Sequence, residues 1–262
     1  MAPATPSDET DPKTAHHNHD IGPHPSFIQV AKPYIFEQRL QQCMKATATD
    51  EAREDAVRLQ GVLWIDAVRR AMQMPVKTFY QAVIYYHRFR LVHAEGEYVN
   101  IDAAAAALFA AAKIEDTLKK SKDVLCAAYN LKVPLAEQLS PDDAVFEEPS
   151  RRLVGLERLM LEASGFDFRC RDPSRMVVKF GRMGRFPDVE HTVGKLAFQI
   201  CNDLYRTYAP LKQASTTMAI ACIELSARLL QANVDRFRDV VGDAERMRDR
   251  WGTGRAEIMG IL

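Results

Sequence analysis

The chain has 262 residues, of which 47% are hydrophobic and 27% are charged, so it has enough apolar surface for a folded core and is not disordered along its whole length. The 35 lysines and arginines balance the 35 aspartates and glutamates, which leaves no net charge to draw the molecule onto nucleic acid or acidic lipid. The longest apolar run, residues 103–112, is shorter than the roughly 18 residues of a membrane span. We therefore expect no contact with a membrane.

Residues 1–25 are rich in Pro, His, Asp and Thr and contain no apolar run, so we expect a disordered tail. The tail carries four histidines, but no second set of ligands stands near them, and a solvated polar segment is the favoured interpretation. Residues 26–50 are predicted to form an N-terminal helix, with the helical pattern running from Phe27 to Met44.

Residues 51–168 have the periodicity of a bundle of helices, and Asp50 or Thr49 is placed to cap the first of them. The segment from 103 to 115, with Asp102 as its predicted cap, is apolar on every side and is built from small residues. Small side chains let neighbouring helices approach from several directions, so this segment is predicted to be the buried central helix.

Residues 169–262 repeat this scheme as a second bundle, which is short at its C-terminal end. Arg228 follows Lys113 by 115 positions (228 − 113 = 115), and Ala197 follows Ala82 by the same interval. No segment of useful length alternates between apolar and polar residues with period two. The pattern therefore predicts an all-α chain of two tandem five-helix bundles preceded by an N-terminal helix.

The sequence contains none of the common catalytic motifs, such as GxxxxGK, HExxH or GxSxG. The carboxylates of Glu115 and Asp116 follow the predicted central helix, where solvent and the nearby lysines account for them. The 5 cysteines are scattered and form no CxxC pair, so neither a disulfide framework nor a zinc site is indicated. We expect no enzymatic activity, no metal and no cofactor, in a reducing compartment.

Glu157 lies inside the apolar arc of its helix, where an unpaired carboxylate would be costly to bury. It is expected either to pair with Arg152 or Arg158 at the edge of the arc, or to face a partner that docks there. Lys113 also has two interpretations. The helix dipole favours a cation at the end of the central helix, or the lysine marks the place where that helix emerges onto a docking face.

Residues 169–185 carry six lysines and arginines against Asp172, a composition that is able to contact phosphates. No aromatic side chains accompany them as a stacking platform, so a solvated basic face is the favoured interpretation. Direct binding to nucleic acid is therefore not expected.

Five motifs together have a recognisable spacing. They are HRF at 87–89, AAKIEDTLKKSKDVL at 111–125, GLERLMLEASGFDF at 155–168, FQICND at 198–203 and MAIACIELSARLL at 218–230. The first three resemble the first cyclin box, and the last two resemble the second cyclin box of the transcription-associated cyclins. The resemblance covers roughly residues 26–262 and implies that the two bundles are cyclin boxes, at 51–168 and 169–262.

The resemblance implies a non-catalytic regulatory subunit that binds and activates a cyclin-dependent kinase in the nucleus. The kinase would phosphorylate the C-terminal domain of RNA polymerase II during transcription elongation, and a third subunit of the complex is expected. The residues that correspond to the kinase contacts of the family are Lys113, Ile114, Glu157, Leu161, Phe166 and Phe168. In the family Arg58 would pair with an aspartate at the position of His87, so that ion pair is in doubt here.

Two other functions stay open at this point. General transcription factors of the TFIIB type also carry two tandem cyclin folds, which makes a nucleic-acid-binding module the first alternative. The second is a helical scaffold that activates nothing. Salt-dependent DNA binding would favour the first alternative. Kinase activity that stays the same when Lys113 and Glu157 are replaced by alanine would favour the second.

Overall fold

The computed structural model describes residues 34–47, 50–94, 96–184, 186, 190–233, 235–242 and 244–262. All of them belong to one compact unit. The predicted tail at 1–25, with its histidines, lies outside the described residues.

Helices make up most of the described chain, and no strand occurs within it, which confirms the all-α prediction. The helices are α1 (Glu37–Thr47), α2 (Glu51–Ala71), α3 (Val76–Arg90), α4 (Asn100–Ile114), α5 (Ser121–Asn130), α6 (Glu147–Ala163), α7 (Ser174–Gly184), α8 (Glu190–Leu204), α9 (Ala209–Lys212), α10 (Ser215–Leu229), α11 (Asp235–Val241), α12 (Ala244–Trp251) and α13 (Arg255–Met259). Single 3-10 turns at Leu135–Glu137 and Ala144–Phe146 lie in the connection between α5 and α6.

The first helix begins later than the sequence predicts. Described helical structure starts at Glu37, and residues 34–36 are not helical, whereas the prediction ran from Phe27 to Met44. The part of that prediction at 27–33 lies outside the described residues. Just before α1, the Ile35 amide donates a tertiary hydrogen bond to the carbonyl of Leu211 in α9 at 2.8 Å. The next boundary is as predicted, because the Asp50 side chain accepts a hydrogen bond from a backbone amide in the first turn of α2.

The central helix of the first set is α4, which packs against α2, α3, α5 and α6. Residues 103–112 are all buried, as the sequence predicts for a helix made of small residues. The predicted cap is wrong. The N-cap is Val99, and Asp102 lies in the first turn of α4, where the helix dipole favours its carboxylate.

The central helix of the second set is α10, which packs against α7, α8, α9 and α13. It begins at Ser215 and α4 begins at Asn100, so the two helices start and end 115 positions apart (215 − 100 = 115). The interval seen in the sequence therefore relates two equivalent central helices. Helices α1–α6 and helices α7–α13 each surround a hydrophobic core, although Tyr205 and Tyr208 from the second half join the first core. The boundary at 168/169 stays a prediction.

Hydrogen bonds and ring stacking join the two helix sets. The Tyr80 hydroxyl donates to the Asn202 amide oxygen at 2.7 Å, and the rings of Tyr80 and Tyr205 stack with centroids 4.2 Å apart. The fully buried His87 ring donates through Nε2 to the carbonyl of Tyr205 at 2.9 Å. These contacts fix the orientation of α3 relative to α8.

The family ion pair between Arg58 and the residue at position 87 does not form here. Arg58 instead pairs with Asp55 at 2.7 Å, donates to the carbonyl of Arg206 and lies over the Tyr208 ring at 4.6 Å. Burial first, and then the nearby charge of Arg58, lowers the pKa of His87 to about 3. His87 is therefore neutral and joins the two bundles as a hydrogen-bond donor.

In the described part of the chain no helix has the length and hydropathy needed to cross a bilayer. All five cysteines are free. No group of three or more histidine, cysteine or carboxylate side chains gathers as a metal site within the residues described above.

Candidate functional site

The structure brings Lys113 and Glu157 together. Lys113 ends α4 and Glu157 lies in the middle of α6, and the ammonium donates to the carboxylate at 2.9 Å. The Lys113 ammonium also lies over the ring of Phe109, one turn earlier in α4, at 4.3 Å from its centroid. The lysine side chain is 43% exposed and the glutamate side chain 16%, so the pair sits at the surface with one face open to solvent.

The expectation that Glu157 pairs with a neighbouring arginine is wrong. Arg158 pairs with Glu162 at 2.8 Å, one turn further along α6, and Arg152 reaches towards Asp102 of α4 at 3.7 Å. Both arginines therefore have other carboxylate partners, and Glu157 pairs with Lys113 of α4. The anion inside the apolar arc is therefore satisfied by a cation from a second helix.

Ile114 and Leu161 supply the apolar part of the same surface. Both are half-buried and pack against the first core from α4 and α6. Val154, one turn before Glu157 on α6, is 50% exposed. Val154, Glu157 and Leu161 are spaced as neighbours along one face of a helix, so the ion pair is bordered by exposed apolar side chains.

Phe166 and Phe168 project from the segment that follows α6. Their side chains are 56% and 48% exposed, and their rings meet edge to face with centroids 6.4 Å apart. Gly165 (φ +65°) and Phe166 (φ +53°) both adopt left-handed backbone conformations. Hydrogen bonds from their amides to carbonyls of the last turn close α6, as at many helix ends. Two large apolar side chains are thereby held out in solvent.

Asp167, between the two phenylalanines, points in the opposite direction and is buried. Its carboxylate accepts hydrogen bonds from Arg169 at 2.7 Å and Arg171 at 3.0 Å, and the Arg88 guanidinium lies at 3.8 Å. Arg88 also donates to the carbonyl of Ser164 at 2.8 Å. Burial by itself raises the pKa of Asp167, but the hydrogen bonds from Arg169 and the arginine charges outweigh it and lower the pKa. The ionised carboxylate therefore anchors the segment that presents the two rings.

Sequence reasoning missed this anchor of Asp167, Arg88 and Arg171. A signal was present, since the carboxylate stands between two aromatic residues and just before Arg169 and Arg171. The basic residues were instead assigned to a continuous solvated face.

That face is interrupted in the structure. Arg169 and Arg171 are engaged by Asp167, and Arg171 is buried. Lys179 lies over the ring of Trp251 at 4.9 Å. Arg185 lies outside the described residues.

The expectation for Glu115 is wrong as well. Its side chain is only 3% exposed and pairs with Lys77 of α3, not with solvent and the lysines that follow it. Asp116, the next residue, has a left-handed φ of +53°, and the hydroxyl of Thr117 after it lies 3.1 Å from that of Thr78 in α3. Burial next to Glu115 raises the pKa of the Cys170 thiol to about 12.

Lys113, Ile114, Glu157, Leu161, Phe166 and Phe168 thus lie at the end of α4, on α6 and in the segment after it. We call this set the α4/α6 surface. It combines one cation, one anion and exposed apolar side chains on rigid elements of the first helix set, an arrangement suited to docking a helix or loop of another protein.

Comparison with known proteins agrees with this architecture. The family model described as "Cyclin, N-terminal domain" matches residues 32–169, slightly more than half of the chain. The chain is 33% identical over 207 residues to the CTD kinase subunit beta of Schizosaccharomyces pombe, covering 78% of this chain and 60% of that protein. It is 26% identical over 190 residues to human Cyclin-K, covering 72% of this chain and 32% of the relative. The chain therefore spans less than two thirds of the length of these relatives.

Solved structures share the fold. A chain of the yeast RNA Pol II CTD kinase CTDK-1 complex superposes with a TM-score of 0.69 at 22% identity, over 78% of this chain and 65% of that chain. A chain of the CAK complex from Chaetomium thermophilum bound to ATP-gamma-S gives a TM-score of 0.59 at 15% identity, over 87% of this chain and 73% of that chain. With the matching family model and two helix sets built around equivalent central helices, the chain belongs to the cyclin family.

Proposed function

We propose that this chain is the regulatory subunit of a cyclin-dependent kinase, which it binds through the α4/α6 surface and activates. The observation that carries the proposal is the pairing of Lys113 on α4 with Glu157 on α6, together with two exposed phenylalanines in the segment that follows α6. In the wider proposal, the kinase phosphorylates the C-terminal domain of RNA polymerase II during elongation, in the nucleus and with a third subunit in the complex. The names of the S. pombe relative and of the CTDK-1 structure support this choice of substrate.

The proposed activation is a shift in population between two states of the kinase. A protein kinase is active when the glutamate of its C-helix pairs with the lysine of strand β3, which aligns the phosphates and Mg²⁺. A cyclin that binds only the inward position of this helix favours the active state by its difference in affinity for the two states. The cyclin itself then needs no catalytic group.

The charged pair supplies directional contacts. In this proposal, the Glu157 carboxylate accepts hydrogen bonds from backbone amides of the kinase, and the Lys113 ammonium donates to its backbone carbonyls. Because each group already holds the other at 2.9 Å, neither side chain has to be ordered when the kinase binds. The contacts therefore fix the position of the bound element at a small entropic cost.

The apolar side chains supply most of the affinity in this proposal. Full burial of an exposed aromatic or leucine side chain contributes about 1.5–3 kcal/mol. Phe166 and Phe168 are each about half exposed and become buried when the kinase covers them. Ile114 and Leu161, which are half-buried, are covered by the kinase in the same contact, so water is excluded from the charged contacts as well.

The Asp167 anchor explains how the two rings stay available. An apolar pair on an unrestrained loop would collapse onto the protein surface or lose entropy on binding. The arginines around Asp167 hold the backbone in one conformation before the partner arrives, and such preorganisation increases affinity.

The proposal is tested by pull-down of the tagged chain from a nuclear extract, identification of the bound kinase and assay of that kinase on a heptad-repeat peptide. Recovery of a cyclin-dependent kinase whose activity depends on the chain supports the proposal. Recovery of no kinase together with salt-dependent DNA binding would favour the nucleic-acid-binding alternative. A kinase that is bound but equally active without the chain would favour the scaffold.

A further inference from the structure

The second helix set contains a cavity of about 400 Å³ that the proposed kinase contact does not use. Four apolar side chains line it from α10, α11 and α12, and two arginines from α11 and α13 complete it. They are Ile220, Phe237, Val241, Met247, Arg238 and Arg255. Its size is within the usual range of small ligand sites in proteins.

A buried carboxylate faces this cavity. Glu224 of α10 is 1% exposed and accepts hydrogen bonds from Arg228 at 2.5 Å, Arg238 at 3.3 Å and Arg255 at 2.7 Å. Burial by itself raises the pKa of Glu224, but the hydrogen bonds and charges of the arginines lower it to about 2. Glu224 is therefore ionised under all ordinary conditions.

The charges around Glu224 do not balance locally. Three guanidinium groups surround the Glu224 carboxylate, and the Arg238 guanidinium also lies 3.9 Å from the exposed Asp235 carboxylate, which leaves one positive charge in excess within this group. Arg238 and Arg255 line the cavity with side chains 49% and 40% exposed, and a guanidinium has five N–H donors, of which Glu224 uses only some. The mouth of an apolar cavity is thus lined with donors suited to a carboxylate of another molecule.

In the first helix set, side chains fill the place that corresponds to this cavity. The interval of 115 that relates α4 to α10 puts Phe109 opposite Glu224 (224 − 109 = 115). In the first set, Phe109 packs with Ala105 and Leu153 in a small apolar cluster, against Trp64 and Leu125. The second set thus has a carboxylate where the first has an aromatic ring, and a cavity lies beside it. The repeat alone therefore does not explain why α10 has a carboxylate and a cavity at this place.

We propose that this cavity, which we call the Glu224 cavity, binds an acidic segment of a partner protein. One leucine- or phenylalanine-sized side chain of the segment enters between Ile220, Phe237 and Met247. A neighbouring aspartate or glutamate of the segment accepts hydrogen bonds from Arg238 and Arg255. The proposal is independent of the kinase contact, because the α4/α6 surface belongs to the first helix set.

The chain offers a matched pair of arginines for the test. Arg228 and Arg238 bind the same oxygen of Glu224 and have similar exposure, at 42% and 49%. Only Arg238 lines the cavity. Arg228→Ala removes the shorter contact to Glu224, at 2.5 Å against 3.3 Å for Arg238, so it is the more severe test of a loss that acts only through Glu224. Only Arg238→Ala removes a contact to the bound segment.

The experiment selects random twelve-residue peptides displayed on phage against the full chain and counter-selects them against Arg238→Glu. The selected peptides are then measured by fluorescence polarisation. We expect peptides that combine a leucine or phenylalanine with adjacent acidic residues, and affinity that falls with added salt. Arg238→Ala is expected to weaken binding at least tenfold, the scale of losing one charged contact in an interface, and Arg228→Ala less than about twofold.

A second variant, Val241→Phe, fills the cavity without changing its charge and is expected to abolish binding, with a thermal melt to verify the fold. Should this variant not fold, the Arg238 comparison still decides. The proposal is overturned if no selected peptide depends on Arg238, if acidic residues of the peptide are dispensable, or if Arg228→Ala weakens binding as much as Arg238→Ala. Displacement of the peptides by inorganic phosphate alone would also overturn it, because the site would then recognise any anion.

Discussion

The Lys113 ammonium and the Glu157 carboxylate meet at 2.9 Å although 44 positions of sequence separate them. Ion pairs at the protein surface typically contribute only about 0–1 kcal/mol to stability, and this lysine is 43% exposed. The pair therefore explains little of the stability of the fold. Its position, beside exposed apolar side chains at the end of the central helix, fits a contact with a partner better.

Replacement of Glu157 by alanine is expected to weaken kinase binding at least tenfold, because loss of the carboxylate leaves buried backbone amides of the kinase without an acceptor. The free energy of unfolding should change by less than about 1 kcal/mol. Titration calorimetry with the kinase and urea unfolding measure the two quantities. The matched control is Arg158→Ala, which breaks the exposed pair with Glu162 on the same helix and should change neither.

Phe166→Gly is expected to separate binding from stability. Phe166 has a left-handed φ of +53°, which a glycine adopts without strain, so the free energy of unfolding should stay within about 1 kcal/mol of the wild type or rise. Loss of the exposed ring should nonetheless weaken kinase binding. If the variant binds the kinase with unchanged affinity, the phenylalanine pair is not part of the contact.

Asp167→Asn is expected to destabilise the chain by about 3–5 kcal/mol, the range found when one partner of a buried ion pair is removed. Arg88 and Arg171, both buried, would lose the anion that they share. The segment bearing Phe166 and Phe168 should become mobile, which hydrogen exchange of its amides would detect. An unchanged melting temperature with unchanged exchange would show that the arginines do not depend on Asp167.

His87 makes stability depend on pH. Its pKa is about 3 in the folded chain, below the 6.5 of an ordinary histidine, so the unfolded state takes up a proton first as pH falls. The stabilisation that neutral His87 adds to the free energy of unfolding is fully present above pH 6.5. It declines by up to about 1.4 kcal/mol per pH unit between pH 6.5 and 3.

His87→Gln, which retains a donor for the Tyr205 carbonyl, should remove this part of the slope. Urea unfolding at several pH values between 4 and 7.5 measures it. If the variant and the wild type lose stability in parallel over that range, His87 is not the titrating group.

The sequence predicts the helical architecture well because periodicity and residue size determine it. The buried alanine-rich α4 and the interval that relates it to α10 are both visible without a structure. Family resemblance led to Lys113 and Glu157 as site residues, but their contact with each other was not predicted, since two residues on different helices leave no local pattern. The wheel position of Glu157 indicated only that the carboxylate needed a partner.

The features that sequence reasoning missed all depend on tertiary contacts. The Ile35 amide just before α1 is bonded to α9, and the buried Glu115 pairs with Lys77 of α3. The Asp167 anchor draws one of its arginines from α3, far away in sequence. A local reading of charges assigns such residues to solvent, and only the fold shows which of them face inwards.

The most direct test of the central claim is the activity of the purified kinase on a heptad-repeat peptide, measured with wild-type chain and with the double variant Glu157→Ala, Phe168→Ala. The α4/α6 surface predicts that the wild type activates the kinase and that the double variant, with its circular dichroism spectrum and melting temperature preserved, does not. Arg158→Ala should activate like the wild type. Full activation by the folded double variant would contradict the account.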